Sequence, residues 1–145
     1  NGKLTRENQI RYVNELIRRY SLDYIEDPLE ENDIQGFGII NGELVCGDDI
    51  VASDVERLSN VMGKINCVSV KPNQVGSLLK VKKLIEFAKE NRIETVMSHR
   101  AGETTDDLIA DLSVAWKTNY IKTGITGKEN GSKIKRLKAI EKEIK

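Results

Sequence analysis

Five ionisable residues of this sequence each follow a short apolar run. In chain order they are Glu26, Asp48, Lys71, His99 and Lys122. Two carboxylates suit a hard cation, whereas two lysines and the pair His99-Arg100 suit an anion. Any one of these residues could simply end a strand, because loops are polar. Taken together, the five residue types favour one chemistry, the binding of an anionic molecule beside a metal ion.

The elements that must position these residues alternate between helices and strands. Apolar spacing predicts a first helix from about Thr5 to Tyr20, after which short strand, polar loop and helix repeat five times. The predicted strands lie at 22–25, 44–46, 67–70, 95–97 and 120–121. Such alternation is typical of βαβ units and of a parallel sheet buried on both faces. Because the carboxyl ends of parallel strands share one edge, we expect the five ionisable residues to converge there.

Local signals also predict where several helices and loops begin. Ser53 and Glu56 have the S-x-x-E form of a capping box, which predicts a helix through about Met62. Thr104 or Thr105 is expected to cap a later helix. Further helices are predicted over 76–91 and from about 132, and the acidic segment 23–33 is predicted to be an exposed loop, with or without a short helix.

Composition limits the class of protein. The chain has 145 residues, 39% of them hydrophobic, with 23 basic and 23 acidic side chains. This length predicts one domain or less with an ordinary core. The absence of a long apolar run and of a signal-peptide core predicts a soluble, cytoplasmic protein, and zero net charge gives no reason to expect nucleic acid or a membrane as partner. The sequence does not begin with Met, which suggests a piece of a longer chain.

The two cysteines give no sign of a metal or disulfide framework. Cys46 and Cys67 lie inside apolar runs, without a C-x-x-C spacing, and the sequence has one histidine. Reduced thiols in a core are therefore favoured over a zinc site or a disulfide.

Five stretches of the sequence resemble enolase, the phosphopyruvate hydratase of glycolysis. They are YIEDP at 24–28, GDD at 47–49, KPNQVGS at 71–77, SHRAGET at 98–104 and IKTG at 121–124. They follow the family's order and approximate spacing over nearly the whole chain. The resemblance implies an α/β fold, the C-terminal part of an enolase-type TIM barrel. Residues 1–145 would be a single-domain fragment that lacks the N-terminal domain and the first barrel strands.

The resemblance further implies a metal site and a catalytic base. Glu26 and Asp48 are similar to two of the three carboxylate ligands of Mg²⁺ in the family, and the third ligand lies on an earlier strand outside this chain. Lys71 resembles the base that removes the proton from carbon 2 of 2-phosphoglycerate. A lysine base working with magnesium is characteristic of the enolase superfamily.

Three more residues resemble the family's substrate ligands. Lys122 is similar to the lysine that binds the substrate carboxylate, and His99 and Arg100 resemble a substrate-contacting pair with Arg100 on the phosphate. The implied function is the reversible, magnesium-dependent dehydration of 2-phosphoglycerate to phosphoenolpyruvate by a full-length homo-oligomer. The fragment alone is expected to be inactive.

Two departures from the family pattern leave an alternative open. Ala101 stands where the family usually has a serine that contacts the phosphate, and 125–131 replaces a stretch that usually contains proline and two arginines. The alternative is an enolase-like protein with lost or altered activity that serves as a binding or structural partner.

Overall fold

The computed structural model describes residues 3–144. The strands are β1 (Tyr24–Glu26), β2 (Leu44–Gly47), β3 (Cys67–Val70), β4 (Glu94–Ser98) and β5 (Tyr120–Lys122). The helices are α1 (Arg6–Tyr20), α2 (Ile34–Phe37), α3 (Val55–Asn60), α4 (Pro72–Val75), α5 (Leu78–Glu90), α6 (Leu108–Ala115) and α7 (Lys128–Ile144). The predicted alternation of strands and helices is confirmed.

The five strands form one parallel sheet in the order β1-β2-β3-β4-β5. Each strand therefore pairs with its neighbour in the sequence, and a loop with one or more helices carries the chain back to the start of the next strand. The register aligns Glu26 with Cys46 and Ser98 with Lys122, so neighbouring strands end close to one another. This confirms the α/β class with parallel strands.

The sheet is strongly curved. Strands β1 and β5 are its two edges, yet Lys122 Nζ lies 2.5 Å from Glu26 Oε1. Four strand spacings would separate the edges of a flat sheet by roughly 19 Å, more than a lysine and a glutamate side chain can bridge. The sheet must therefore bend into an arc, as strands do in a β/α barrel.

The two faces of the sheet bury different side chains because successive residues of a strand point to opposite sides. The convex face carries Val68, Val70 and Met97, which join the main core with side chains such as Leu84 on α5. The concave face carries a much smaller buried cluster of Cys46, Cys67 and Val96. Both cysteines are free and buried, as expected of core thiols.

The starts of two helices differ from the predictions. Asp54, not Ser53, caps α3, and its side chain accepts a hydrogen bond from Arg57 N. Asp107 occupies the N-cap position of α6, and Thr104 instead accepts a hydrogen bond from Asp106 N in the preceding loop.

The helix predicted over 76–91 is confirmed as α5 (Leu78–Glu90), and the short helix α4 (Pro72–Val75), which was not predicted, precedes it. Gly76 takes a left-handed φ of +69°, which ends α4, and the Ser77 side chain then caps α5. The last helix starts at Lys128, earlier than predicted, since Gly131 is accommodated inside the helix. Within residues 3–144, no helix is both long and apolar enough to cross a membrane.

Candidate active site

Four of the sequence-predicted residues form one connected group, which we call the carboxylate–lysine cluster: Glu26, Asp48, Lys71 and Lys122. Lys71 Nζ donates to Asp48 Oδ2 at 2.5 Å, and Lys122 Nζ donates to both oxygens of Glu26 at 2.5 and 2.6 Å. The two ion pairs are linked electrostatically, because each carboxyl shifts the pKa of the other. The structure thus brings these four side chains together at the carboxyl edge of the sheet.

The alternation of side chains along a β-strand explains why Glu26 and Asp48 lie on the same face of the sheet. Glu26 lies two residues after Tyr24, and its carboxylate accepts a hydrogen bond from the Tyr24 hydroxyl at 2.7 Å. Asp48 lies two residues after Cys46, whose side chain belongs to the concave face. Two-residue spacing keeps a side chain on the same face of a strand, so these acids extend the concave face past the strand ends.

The two carboxyl groups have opposite pKa shifts. Burial and a hydrogen-bonding interaction with Glu26 raise the pKa of Asp48 to about 6, although Lys71 works against the shift. Burial alone would raise the pKa of Glu26, but its interactions with Asp48, Lys122 and Tyr24 outweigh burial and lower that pKa. Two adjacent buried carboxyls cannot both ionise without cost, so this pair favours a bound cation or a shared proton.

These two acids have the chemistry of ligands for a hard divalent cation. Asp48 Oδ1 is buried and has no hydrogen-bond partner, which leaves one acceptor available at the cluster. Carboxylate oxygens are the ligands that magnesium prefers. Within residues 3–144 no three His, Cys, Asp or Glu side chains are grouped as a metal site, so Glu26 and Asp48 fit such an ion only as part of its ligand set.

Asp27 supports the cluster, a role that the sequence analysis did not assign. Its two carboxylate oxygens accept hydrogen bonds from the backbone N–H groups of Asp48 and Asp49, at 2.8 and 2.7 Å. Its φ is +40°, in the left-handed region that aspartate and asparagine tolerate better than most residues. Asp27 therefore fixes the end of β2 against the end of β1. The only signal in the sequence is its position between Glu26 and Pro28.

Ser53 supports the other end of the cluster. Its hydroxyl accepts a hydrogen bond from Lys71 N at 2.9 Å and donates to Gln74 Oε1 at 3.1 Å. The residue is buried and has a left-handed φ of +53°. Instead of the predicted capping of α3, Ser53 holds the backbone of Lys71 at the end of β3.

His99 and Arg100 lie at the same edge, on the segment 99–107 that we call the β4 loop. The backbone N–H of His99 donates to Lys122 O at 2.9 Å, which continues the pairing of β4 with β5. The His99 side chain is half-buried and Arg100 is exposed. No hydrogen bond or ion pair of the described residues joins either side chain to the carboxylate–lysine cluster. Ala101, the departure from the family pattern, is exposed on this loop.

A cavity of about 620 Å³ lies along the concave face. Its lining comes mainly from the starts and middles of strands, including Tyr24, Leu44, Val96 and Tyr120. Lys122 is the one cluster residue that lines it. The cavity is therefore the open interior of the arc, between β1 and β5, and is not the candidate active site.

The comparisons with known proteins agree on one family. The family model described as the C-terminal TIM barrel domain of enolase matches residues 1–145. The chain is 41% identical to an enolase of Methanocorpusculum labreanum over 99% of the chain, 45% identical to an enolase of Archaeoglobus fulgidus over 96%, and 43% identical to an enolase of Methanothermobacter thermautotrophicus over 94%. These alignments cover 38%, 36% and 34% of the relatives, so the chain spans little more than a third of their length.

Proposed function

The chain belongs to the enolase family, and from that premise we propose that the full-length protein interconverts 2-phosphoglycerate and phosphoenolpyruvate with Mg²⁺ as cofactor. The observation that carries the proposal is the carboxylate–lysine cluster. It places two acids and two lysines, the groups that this reaction needs for a metal ion, a base and an anion, at the carboxyl edge of a β/α barrel sheet.

Glu26 and Asp48 would hold the magnesium ion together with a carboxylate from elsewhere in the full-length protein. When bound, the ion would supply positive charge where negative charge develops on the substrate carboxylate. The raised pKa of Asp48, about 6, supports this role, because burial beside Glu26 makes a compensating cation favourable.

Lys71 is the proposed base that takes the proton from carbon 2. That proton is weakly acidic because its removal places a second negative charge next to a carboxylate. Lys71 can accept it only as a neutral amine, so its ammonium group, which is paired with Asp48, must first release its own proton to solvent and turn from that carboxylate. The hydrogen bond from Lys71 N to Ser53 fixes the backbone from which the side chain extends.

Lys122 is the proposed ligand of the substrate carboxylate, and His99 and Arg100 are the proposed contacts to the rest of the substrate. Lys122 is now paired with Glu26 and must turn from it to reach a ligand. Arg100 presents an exposed guanidinium, whose planar donors suit the phosphate. A phosphorylated small molecule is therefore the proposed partner.

The setting of the full-length protein is also part of the proposal. We place it in the cytoplasm, in glycolysis and gluconeogenesis, as a homo-oligomer without nucleic-acid or membrane partners. Residues 1–145 would be one piece of its barrel domain, inactive alone because one metal carboxylate and the groups that help hydroxide leave lie elsewhere.

The direct test is turnover by the full-length protein. Formation of phosphoenolpyruvate from 2-phosphoglycerate, followed in a coupled assay, should require Mg²⁺ and stop when the metal is chelated. Asp48→Asn should lower turnover by about 10²-fold or more, because a charge that acts at the reacting centre is lost. Asp49→Asn, which changes the neighbouring exposed carboxylate, is the matched control and should retain turnover. No turnover by the folded, metal-supplied parent protein would contradict the proposal.

The second candidate is an enolase-like binding or structural protein without this activity. Ala101 favours it, because alanine lacks the hydroxyl with which the family's serine contacts the phosphate. Replacement of Ala101 by Ser in the full-length protein separates the two. If the parent protein is inactive and Ala101→Ser restores turnover, activity has been lost at this position, whereas an active parent protein excludes the second candidate.

A further inference from the structure

Lys133 is an unusual side chain for its position. It lies in the second turn of α7, and its side chain is 1% exposed. Apart from Lys133, α7 has one other buried residue, Ile140. A lysine is rarely fully buried unless its ammonium group is paired, since the charge loses its hydration. The position would accept an aliphatic side chain if packing were all that it had to provide.

The ammonium group is fully satisfied by three oxygen atoms. Lys133 Nζ donates to Thr104 O at 2.7 Å and Glu129 O at 3.0 Å, and it forms an ion pair with Glu103 Oε2 at 3.1 Å. Glu129 belongs to α7 itself, whereas the other two acceptors lie on the β4 loop. Lys133 therefore ties the start of the last helix to the loop that carries His99 and Arg100.

Glu103 connects Lys133 to the backbone of Arg100. Its Oε2 is paired with Lys133, and its Oε1 accepts a hydrogen bond from Arg100 N at 3.0 Å. Partial burial would raise the pKa of Glu103, but the Arg100 amide, Lys133 and His99 outweigh it and lower that pKa. The carboxylate is thus ionised and held from both sides. Gly102, with a φ of +77°, turns the loop between Arg100 and Glu103.

We propose that Lys133 is a positioning residue for substrate binding, which acts through Glu103 to fix the backbone from which Arg100 reaches the substrate phosphate. The inference rests on the proposed function for the identity of the substrate. It assigns to a buried lysine of the last helix a role at the substrate-binding edge, although the lysine does not touch the substrate. The chain Lys133–Glu103–Arg100 N is the path by which it acts.

A second cation of α7 provides a matched control. Arg136 lies three residues later and forms an ion pair with Asp111 of α6, with Arg136 Nη2 and Asp111 Oδ1 2.7 Å apart. It therefore joins α7 to α6 without a contact to the β4 loop among its ion pairs and hydrogen bonds. Lys133→Met and Arg136→Met each remove one positive charge and leave an unbranched side chain, but only the first releases the loop.

The test compares the two variants in the full-length protein with 2-phosphoglycerate as substrate. The phosphate contact is made before and during the reaction, so its loss should raise KM more than it lowers kcat. We expect Lys133→Met to raise KM about 10-fold, the effect of losing one charge-assisted contact, and Arg136→Met to leave KM unchanged. An unchanged KM in folded Lys133→Met would overturn the proposal.

Variants of Glu103 keep the proposal testable if Lys133→Met fails to fold. Glu103→Ala removes both the ion pair and the acceptor for Arg100 N, and should raise KM at least as much. Lys133→Met combined with Glu103→Ala should raise KM no further than Glu103→Ala alone, because both act on one path. Additive effects, or a normal KM in Glu103→Ala, would show that Lys133 does not act through Glu103.

Hydrogen exchange separates this inference from the proposed function. If the parent protein has no turnover, the amide of Arg100 still reports whether the loop is held. Its exchange should be faster in Lys133→Met than in the parent protein, and unchanged in Arg136→Met. Equal exchange in the two variants would overturn the positioning role, whereas missing turnover with faster exchange would overturn the proposed reaction alone.

Discussion

The two parts of the candidate site are built differently. In the carboxylate–lysine cluster, four side chains at the ends of four strands form two ion pairs, and Asp27 and Ser53 fix the backbone at two of the strand ends. In the β4 loop, Arg100 is exposed, and the loop is held by Lys133 from a distant helix. The part proposed to do chemistry is thus preorganised by the sheet, and the part proposed to bind phosphate depends on a long-range support.

This difference has a physical reason. A base and metal ligands must be held within a fraction of an ångström of their working positions, and strand ends in a packed sheet provide that. A phosphate ligand must admit and release the substrate, so a loop with an exposed arginine is suitable if its backbone is fixed. We expect changes of the proposed metal ligands and base to lower turnover and changes at the loop to affect substrate binding.

The largest effect is expected when the cluster is separated from the rest of the protein. Residues 1–145 alone hold two of the proposed metal carboxylates, and both are paired with lysines. Two ligands should bind magnesium weakly, so we expect no measurable dehydration of 2-phosphoglycerate by this piece. The full-length protein is the control in the same coupled assay, with circular dichroism to show that the piece is folded. Robust magnesium-dependent turnover by the piece would mean that the catalytic groups are misplaced.

Replacement of Lys71 by alanine in the full-length protein should have the next largest effect. General base catalysis contributes about 10² to 10⁴ in rate, so kcat should fall by at least that factor while KM changes much less. Exchange of the carbon-2 proton with deuterated solvent, followed by NMR, should stop as well. Lys80→Ala, at an exposed lysine of α5, is the control. If Lys71→Ala still exchanges the proton at the parent rate, the base is another residue.

The support of the cluster by Asp27 predicts a smaller effect, on stability. Asp27→Asn keeps a residue that tolerates the left-handed φ, but the asparagine side chain has one acceptor oxygen for two N–H donors. One charge-assisted hydrogen bond is lost, which should lower the free energy of unfolding by about 1.5–3 kcal/mol in urea denaturation. Asp49→Asn should change it much less. A parent-like stability of Asp27→Asn would show that the two hydrogen bonds accepted by Asp27 do not hold β1 and β2 together.

The sequence could predict the features of the site that depend on local patterns, but not those that depend on contacts between distant residues. The alternation of short apolar runs and helices is a local signal that predicts parallel strands, so the positions of Glu26, Asp48, Lys71 and Lys122 at one edge followed from the pattern. The pairing of Lys122 with Glu26, 96 residues apart, could not, because it depends on the curvature of the whole sheet.

The supporting roles of Ser53 and Lys133 could not be predicted from the sequence for another reason. Ser53 also fits a capping box, but in the structure it has a left-handed φ and its hydroxyl accepts a hydrogen bond from Lys71 N. Lys133 lies in a basic helix whose charges are typical of a solvated surface. Its burial depends on contact with the β4 loop, whose Thr104 lies 29 residues earlier in the chain. No local sequence pattern predicts such a contact.

The smallest effect is expected from the pH dependence of the β4 loop. The pKa of Glu103 is lower in the folded protein than its ordinary value, despite partial burial, because of the Arg100 amide, Lys133 and His99. The resulting stabilisation is therefore complete above the ordinary glutamate pKa and is lost as the pH falls through the lowered value. Glu103→Gln cannot titrate, so the stability difference between parent and variant should be largest near pH 7 and shrink below about pH 4.5, the ordinary glutamate pKa. Allowing for screening, we expect about 1 kcal/mol at most, measured by urea denaturation at several pH values. Because Asp48, whose pKa is raised to about 6, is present in both proteins, subtraction of the two curves isolates Glu103. A stability difference that stays constant from pH 7 to pH 3 would show that the ionised Glu103 does not hold the loop.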